Sequence, residues 1–384
     1  MKHTFIVEQK PLMNILSSMQ PICTKRTTIN ATNSIFFQLG HKELVLKSTD
    51  LEISLQSSYL MPRADIDQPC GFLVSGKRIF DIVKELDGEL EFVLDDNQLT
   101  LKSGAVTVAL NIKDATEFPP FPERIENLMH LDSKGFLEML NKVAFLIPQN
   151  NANPALNGLL MEVSENGLTM TTTDGHCLAQ VTSALYKLDQ SRTWLVPRRA
   201  IFEVKKILEG QQEATVFVGV CGNQLVFSGE SFNFFTKLLV DQFPLYSAIL
   251  KKDGFKAATV DRNHLVKTLR RSVCLLSGQF IATQFGFTTH TLNVSMQNQD
   301  VGKLQEVVPL VDFDSVPLDI RFYAPYLLQG LQAFHDEKIN FFLNNGTKPI
   351  IFESASVESS MLYLVMPVSA QQNPGNTTAG HSPT

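Results

Sequence analysis

Gln9-Lys10-Pro11-Leu12-Met13-Asn14-Ile15-Leu16-Ser17-Ser18-Met19 places Leu12, Ile15, Leu16 and Met19 at i, i+3, i+4 and i+7, the spacing of one helical face. Outward from it, Ser75 to Leu86 repeats that spacing with Ile79, Ile82, Val83 and Leu86. Around these two helices lie strand-like stretches at Ser34 to Leu39, Glu43 to Lys47, Glu89 to Leu94, Gln98 to Lys102 and Val106 to Ile112. Turn formers such as Leu39-Gly40-His41 and Asp95-Asp96-Asn97 separate them.

The same order then returns. Asp132 to Ile147 carries Phe136, Leu140, Val143 and Ile147 on one face, and a second helix is predicted from Pro197 to Leu208. Strands are predicted at Gly158 to Val163, Leu168 to Thr172, Ala214 to Val220, Gln224 to Ser228 and Phe232 to Leu239. A third round has helices from Asp261 to Leu276 and Pro325 to Phe334, and ends on strands near Ile339, Ile350 and Met361. The period, about 125 residues, is too long for a solenoid repeat, so each round is a domain. The fold class expected is α+β, three domains of one topology at 1–126, 127–254 and 255–370. A tail at 371–384, rich in Asn, Thr, Gly and Pro, is expected to be disordered.

Charge is sorted among the helices. The six together carry +5 in a chain of net −6, which leaves −11 elsewhere. In the fourth, Arg198, Arg199, Lys205 and Lys206 stand opposite Ile201, Val204 and Leu208; in the fifth, Lys267, Arg270 and Arg271 share a face. One such helix reads as solvated surface. Six that are basic or neutral in an acidic chain point to a shared surface facing nucleic acid.

Other classes find little support. A hydrophobic content of 44% and charged content of 19% are ordinary for a globular protein. No apolar run approaches the roughly 18 residues that cross a membrane, and the first residues lack the pattern of a signal peptide. Cys23, Cys70, Cys177, Cys221 and Cys274 form no C-x-x-C pair, so no zinc site, disulfide framework or cofactor is expected, and the setting expected is the cytoplasm. Gly71-Phe72-Leu73-Val74-Ser75-Gly76-Lys77-Arg78 fits G-x-x-x-x-G-K, but Arg78 stands where a phosphate loop needs Ser or Thr, and its apolar centre reads as a strand. Thr173-Asp174-Gly175-His176 could be an Asp-His pair, yet an Asp- and Gly-rich turn explains it and no nucleophile is marked. No catalysis is expected.

Leu156-Asn157-Gly158 followed by Thr172-Thr173-Asp174-Gly175-His176-Cys177-Leu178-Ala179 resembles the central signature of the bacterial β sliding clamps, the DNA polymerase III beta subunits. Further matches run in the family's order: Ser48-Thr49-Asp50-Leu51-Glu52, Phe80-Asp81-Ile82, Val196-Pro197-Arg198, Lys237-Leu238, Phe243-Pro244-Leu245-Tyr246 and Tyr363-Leu364-Val365-Met366-Pro367. The resemblance implies a head-to-tail homodimer closed into a ring around double-stranded DNA, bound without regard to sequence, with helices lining the hole and sheets outside. It implies a processivity factor that tethers the replicative polymerase, and that also meets a clamp loader and other proteins bearing the clamp-binding motif.

The implied peptide cleft uses Leu156, Thr173, Gly175, His176, Cys177 and Leu178, with Pro244 and Ile249, then Leu364, Val365, Met366 and Pro367. Its implied dimer seam joins Arg78, Ile82, Val108 and Leu110 to Leu275, Leu276, Asp300 and Glu306. The DNA-facing set comprises Arg26, Lys77 and Lys84 together with Arg198, Arg199, Lys205, Lys206, Lys267, Arg270 and Arg271. Departures from the family pattern are Cys177 in place of arginine, Pro154 and Ala155 in place of aromatic DNA contacts, and Val301-Gly302-Lys303-Leu304 interrupting an acidic stretch at the seam. The alternative is a diverged clamp paralogue that binds partner peptides without stable encirclement.

Overall fold

The computed structural model describes residues 3–66, 68–95, 97–122, 124–210, 213–278, 280–311, 313, 316–355 and 359–368. The expected tail at 371–384 lies outside the described residues. Helices form where the apolar spacing placed them: α1 Gln9–Cys23, α2 Gly76–Lys84, α3 Ser133–Val143, α4 Arg198–Gly210, α5 Arg262–Val273 and α6 Ala324–Leu331. The differences lie at the ends. Residues predicted to extend the third helix, Ala144–Leu146, tighten into a 3-10 turn, and α1 continues four residues beyond its apolar stripe.

The chain packs as two compact units, one of Met1–Leu140 with Tyr186–Val240, the other of Asn141–Leu185 with Asp241–Thr384. The middle repeat contributes to both units.

Among the described residues of the first unit, 13 strands form one antiparallel sheet. The second repeat's strands, Glu126–Asp132, Thr215–Cys221, Gln224–Ser228 and Phe232–Lys237, come first. Phe232–Lys237 then pairs with Ile53–Leu60 of the first repeat, Phe234 opposite Leu55, so the sheet runs on without a break. Leu12, Leu16, Met19 and Ile22 of α1 are buried, and the helix packs on strands Glu43–Thr49 and Ile53–Leu60. Burial of side chains this size contributes about 1.5–3 kcal/mol each.

In the second unit the order is Gly158–Ser164, Gly167–Thr173, Cys177–Ser183, Ser360–Val365, Ile350–Ala355, Lys338–Leu343, Lys256–Asp261, Gly302–Val311, Thr291–Asn298, Thr283–Phe287 and Leu318–Phe322. Alternation is plain in Thr291–Asn298, where Leu292, Val294, Met296 and Asn298 point inward. Here too two repeats join strand to strand: Cys177–Ser183 pairs with Ser360–Val365, and Leu178 faces Leu364.

Two strands change partners midway. Val106–Asn111 pairs with Gln98–Ser103, and Ile112–Asp114 with Cys70–Ser75. Gly302–Pro309 pairs with Thr291–Asn298, while Leu310 and Val311 pair with Lys256–Asp261. Among the described residues, the first part of each strand thus has a ladder on one side alone. Such an edge is a template for further pairing.

Pro21 sits inside α1. Proline has no N–H, so the Ser17 carbonyl, four residues earlier, loses its helical donor. Lys206 of α4 supplies one, its Nζ donating to the Ser17 carbonyl oxygen at 2.5 Å. Lys25 N–H turns to the Ile22 carbonyl, and Pro21's own carbonyl accepts from Arg199 Nη2 at 3.0 Å. Two cations of the second repeat thereby occupy carbonyls of α1, Ser17's left open by the proline and Pro21's left open by the end of the helix.

Candidate functional site

The turn at Thr173–Cys177 organises the first cluster. Asp174 Oδ1 accepts the N–H groups of His176 and Cys177 at 2.8 and 2.7 Å. Thr173 Oγ1 donates to the Cys177 carbonyl at 2.6 Å and accepts Gly175 N–H at 3.1 Å. Gly175 has φ +93°, a conformation side chains disfavour. The carboxylate of this motif is engaged by main-chain donors and holds a turn, as the Asp- and Gly-rich reading requires.

Strand pairing then brings the expected cleft residues together. Leu178, Ile351 and Leu364 form a buried apolar cluster, with Tyr246, Leu250, Phe255, Phe342, Leu362 and Met366 packed on it. Leu156 borders the turn, since a Cβ on Gly175 would lie 4.0 Å from its Cδ1. Met366 N–H donates to the His176 carbonyl at 2.9 Å, which fixes the exit of the last strand against the turn. Val365 is buried, Met366 and Pro367 are half-buried, and Gly175, His176, Pro244 and Ile249 are exposed. The result is an apolar floor with an open rim. It suits apolar side chains presented on an extended segment.

Cys177 is 1% exposed and, one residue before Leu178 on the same strand, points to the opposite face of the sheet from the Leu178 and Leu364 cluster. Burial pushes its thiol far above the ordinary range, the Asp174 carboxylate adds to this, and it stands beside the Tyr363 hydroxyl. Tyr363 in turn donates to the Tyr326 carbonyl at 2.8 Å.

Sequence reading missed the tyrosines. Tyr326 of α6 stacks on His176, ring centroids 5.7 Å apart. The Tyr246 hydroxyl donates to Glu162 Oε2 at 2.5 Å; burial first, then that carboxylate, push it up to about 12. Tyr246 was visible as part of Phe243-Pro244-Leu245-Tyr246. Nothing local marks Tyr326, which reaches the site from a distant helix.

The basic residues divide. Arg26, Lys77, Lys84, Lys206, Lys267, Arg270 and Arg271 are exposed, while Arg198, Arg199 and Lys205 are half-buried. Arg199 forms an ion pair with Asp50, whose carboxylate has no exposed surface, and Lys25 Nζ lies 3.6 Å from the same carboxylate. Burial pushes Asp50 up, but Arg199 and the N–H groups of Ile53 and Glu52 outweigh it, and the net shift is downward. Arg271 pairs with Glu306, which also accepts from Thr268 Oγ1 at 2.9 Å; Arg271 above all holds this carboxyl low.

Replacing Arg199 with Met should leave Asp50 buried beside a weaker partner and cost about 3 kcal/mol. Asp50's lowered carboxyl contributes stability that is complete above the unfolded pKa of about 3.9 and is lost as pH falls through the lower folded value. The variant's deficit should therefore be full at pH 7 and shrink on acidification, as Asp50 becomes protonated in both proteins. Urea midpoints at pH 7 indistinguishable from the parent's would refute this role for the pair.

At the expected seam, Ile82, Val108 and Leu110 are half-buried and Arg78 is exposed. Leu275 and Leu276 are half-buried in the turn after α5, held by Asn298 Nδ2 donating to the Leu275 carbonyl at 2.7 Å. Asp300 is exposed, and Glu306 is engaged within its own chain by Arg271. No cluster of three metal-ligating side chains occurs among the described residues.

Repeated α+β units with strand-joined sheets define a DNA clamp fold, and solved clamps share it. The Pseudomonas aeruginosa sliding clamp bound to griselimycin superposes with a TM-score of 0.87 at 23% identity, over 96% of this chain and 100% of that one. The Thermotoga maritima DNA polymerase III beta subunit gives 0.86 at 21%, over 96% and 99%. The beta sliding clamp of Pseudomonas putida is 25% identical over 371 residues, 95% of this chain and 99% of that one; that of Synechococcus elongatus is 27% identical over 338, 86% and 88%. The family models for the N-terminal, central and C-terminal domains of the DNA polymerase III beta subunit match residues 3–122, 130–245 and 247–369. The chain belongs to the DNA polymerase III beta subunit family, the sliding clamps, which are non-catalytic processivity factors of DNA replication. Among the described residues no helix is long and apolar enough to cross a membrane.

Proposed function

We propose that two copies of this chain close head to tail into a ring around duplex DNA, and that the ring carries the replicative polymerase, the clamp loader and other peptide-bearing partners on its clefts. The observation that carries the reading is the pair of half-open strands, Val106–Asn111 and Gly302–Pro309. Each has backbone donors and acceptors on its open side, and Leu110 on the one and Leu275 and Leu276 near the other supply apolar surface. Pairing one edge with the other of a second copy would satisfy both, and repeating the contact closes a two-fold ring.

The sheet-joined cleft of Leu178, Leu364 and Met366 is the docking place for partners, by way of apolar anchors on short peptides. A clamp from Pseudomonas aeruginosa crystallised with griselimycin is consistent with a ligand site on this fold. Phosphate contacts from Arg26, Lys77, Lys84, Arg198, Lys205, Lys267 and Arg270 would be sequence-independent, as sliding requires. The five free cysteines and the replicative role support a cytoplasmic setting.

Light-scattering mass against concentration tests the ring. The parent should run as a dimer, and Leu275→Ala with Leu276→Ala should yield folded monomer, because lost apolar burial at about 25 cal/mol per Å² outweighs any rim charge. A parent mass near 42.9 kDa at micromolar concentration would favour the paralogue that does not encircle.

A further inference from the structure

The side chains of α4 fall into two neighbouring stripes with the same spacing and different contents. Arg199, Glu203 and Lys206, at i, i+4 and i+7, are engaged within the protein. Arg199 holds Asp50 and the Pro21 carbonyl, Lys206 holds the Ser17 carbonyl, and Glu203 stands close to both cations. The next stripe is Arg198, Phe202 and Lys205. Phe202 is 37% exposed. The Arg198 guanidinium lies 4.3 Å from its ring centroid and the Lys205 ammonium 5.6 Å.

A partly exposed ring flanked by two cations gains nothing itself from a phosphate. It gains from another flat apolar surface, and the cations beside it fix what charge that surface must bring. A nucleotide supplies both: a base with an open π-face and phosphates on either side. In a duplex both faces of each base are covered by its neighbours, so only an unpaired base can meet the ring.

We propose that Arg198, Phe202 and Lys205 form a docking point for unpaired nucleotides of DNA, a base stacking on Phe202 while adjacent phosphates meet Arg198 and Lys205. The proposal rests on the reading of the chain as a DNA clamp and adds to it a contact with single-stranded DNA, such as the strand beside a primer end. The stacking unit with flanking cations is the arrangement single-strand binders use.

The test compares full-length parent, Phe202→Ala and Phe202→Trp on fluorescein-labelled oligothymidylate and on a duplex of equal length, at low salt. Phe202→Ala should lose about fivefold or more in affinity for the single strand, and less than about twofold for the duplex. Phe202→Trp should keep the affinity, and its fluorescence should fall on adding oligothymidylate. The signal is readable because the sole natural tryptophan, Trp194, is 6% exposed. Unchanged single-strand binding by Phe202→Ala overturns the proposal, as does an equal loss on both DNAs, or a tryptophan signal that does not respond. Retention of the parent on nicked circular DNA reports encirclement independently, so failure of this contact and failure of the ring are told apart.

Discussion

Once loaded by a clamp loader and ATP, this protein should stay on nicked circular DNA through a high-salt wash, and one cut through the circle should release it within the same wash. The expectation follows from how little charge is available for adhesion. The helices carry +5 per chain against an acidic remainder. Two of the cations in that count, Arg199 and Lys206, are bonded within the protein, and Arg271 is paired with Glu306. Adhesion through the few that remain falls by roughly 0.9 log units per log unit of salt for each phosphate neutralised. A closed ring is exempt, since release from a circle requires breaking a subunit seam. Gel filtration of labelled protein with each DNA reads the outcome. Equal retention on circle and linear DNA, or equal loss from both, would mean that the protein does not act by enclosure.

Changing Met366 to Glu should remove peptide binding and leave the dimer intact. Met366 packs on the Leu178, Ile351 and Leu364 cluster and its own N–H is bonded to the turn at His176. A flexible thioether can fit anchors of different shape, whereas a carboxylate there would meet the apolar surface of the cluster. Short peptides concentrate their binding in one or two buried side chains, so the loss should be about thirtyfold or more, a hot-spot effect of roughly 2 kcal/mol. Fluorescence titration with a polymerase-derived peptide measures it. Parent-like affinity in the variant would remove this cluster as the docking place.

Much of the architecture was legible because it is local. Six helices show as apolar residues recurring at three- and four-residue spacing, and the repeats show as the return of that pattern. The proposed peptide cleft was legible only through matched motifs, because its members converge through the register of Cys177–Ser183 with Ser360–Val365, nearly two hundred residues apart in the chain. What sequence could not convey was the direction in which individual side chains spend themselves. Arg198 and Arg199 are adjacent and look alike, yet one lies over Phe202 and the other reaches a carboxylate 149 residues away. Cys177 was named among the cleft residues, yet it points away from the Leu178 and Leu364 cluster, since successive side chains of a strand take opposite faces of the sheet. Tyr326 carried no local signal at all.

The proline in α1 has a mechanical consequence. The first and second repeats are fastened along the sheet by main-chain bonds between Ile53–Leu60 and Phe232–Lys237. On the helical side the carbonyls left open around Pro21 are gripped by Lys206 and Arg199. A hinge turns about a single line of attachment, and a joint clamped along two separated lines resists both bending and twisting. In the proposed ring this joint would act as a stiff beam, so any springing apart during loading would be taken up at other joints or at the subunit seam. A single imino acid in one helix would then help decide where a loader can prise the circle open.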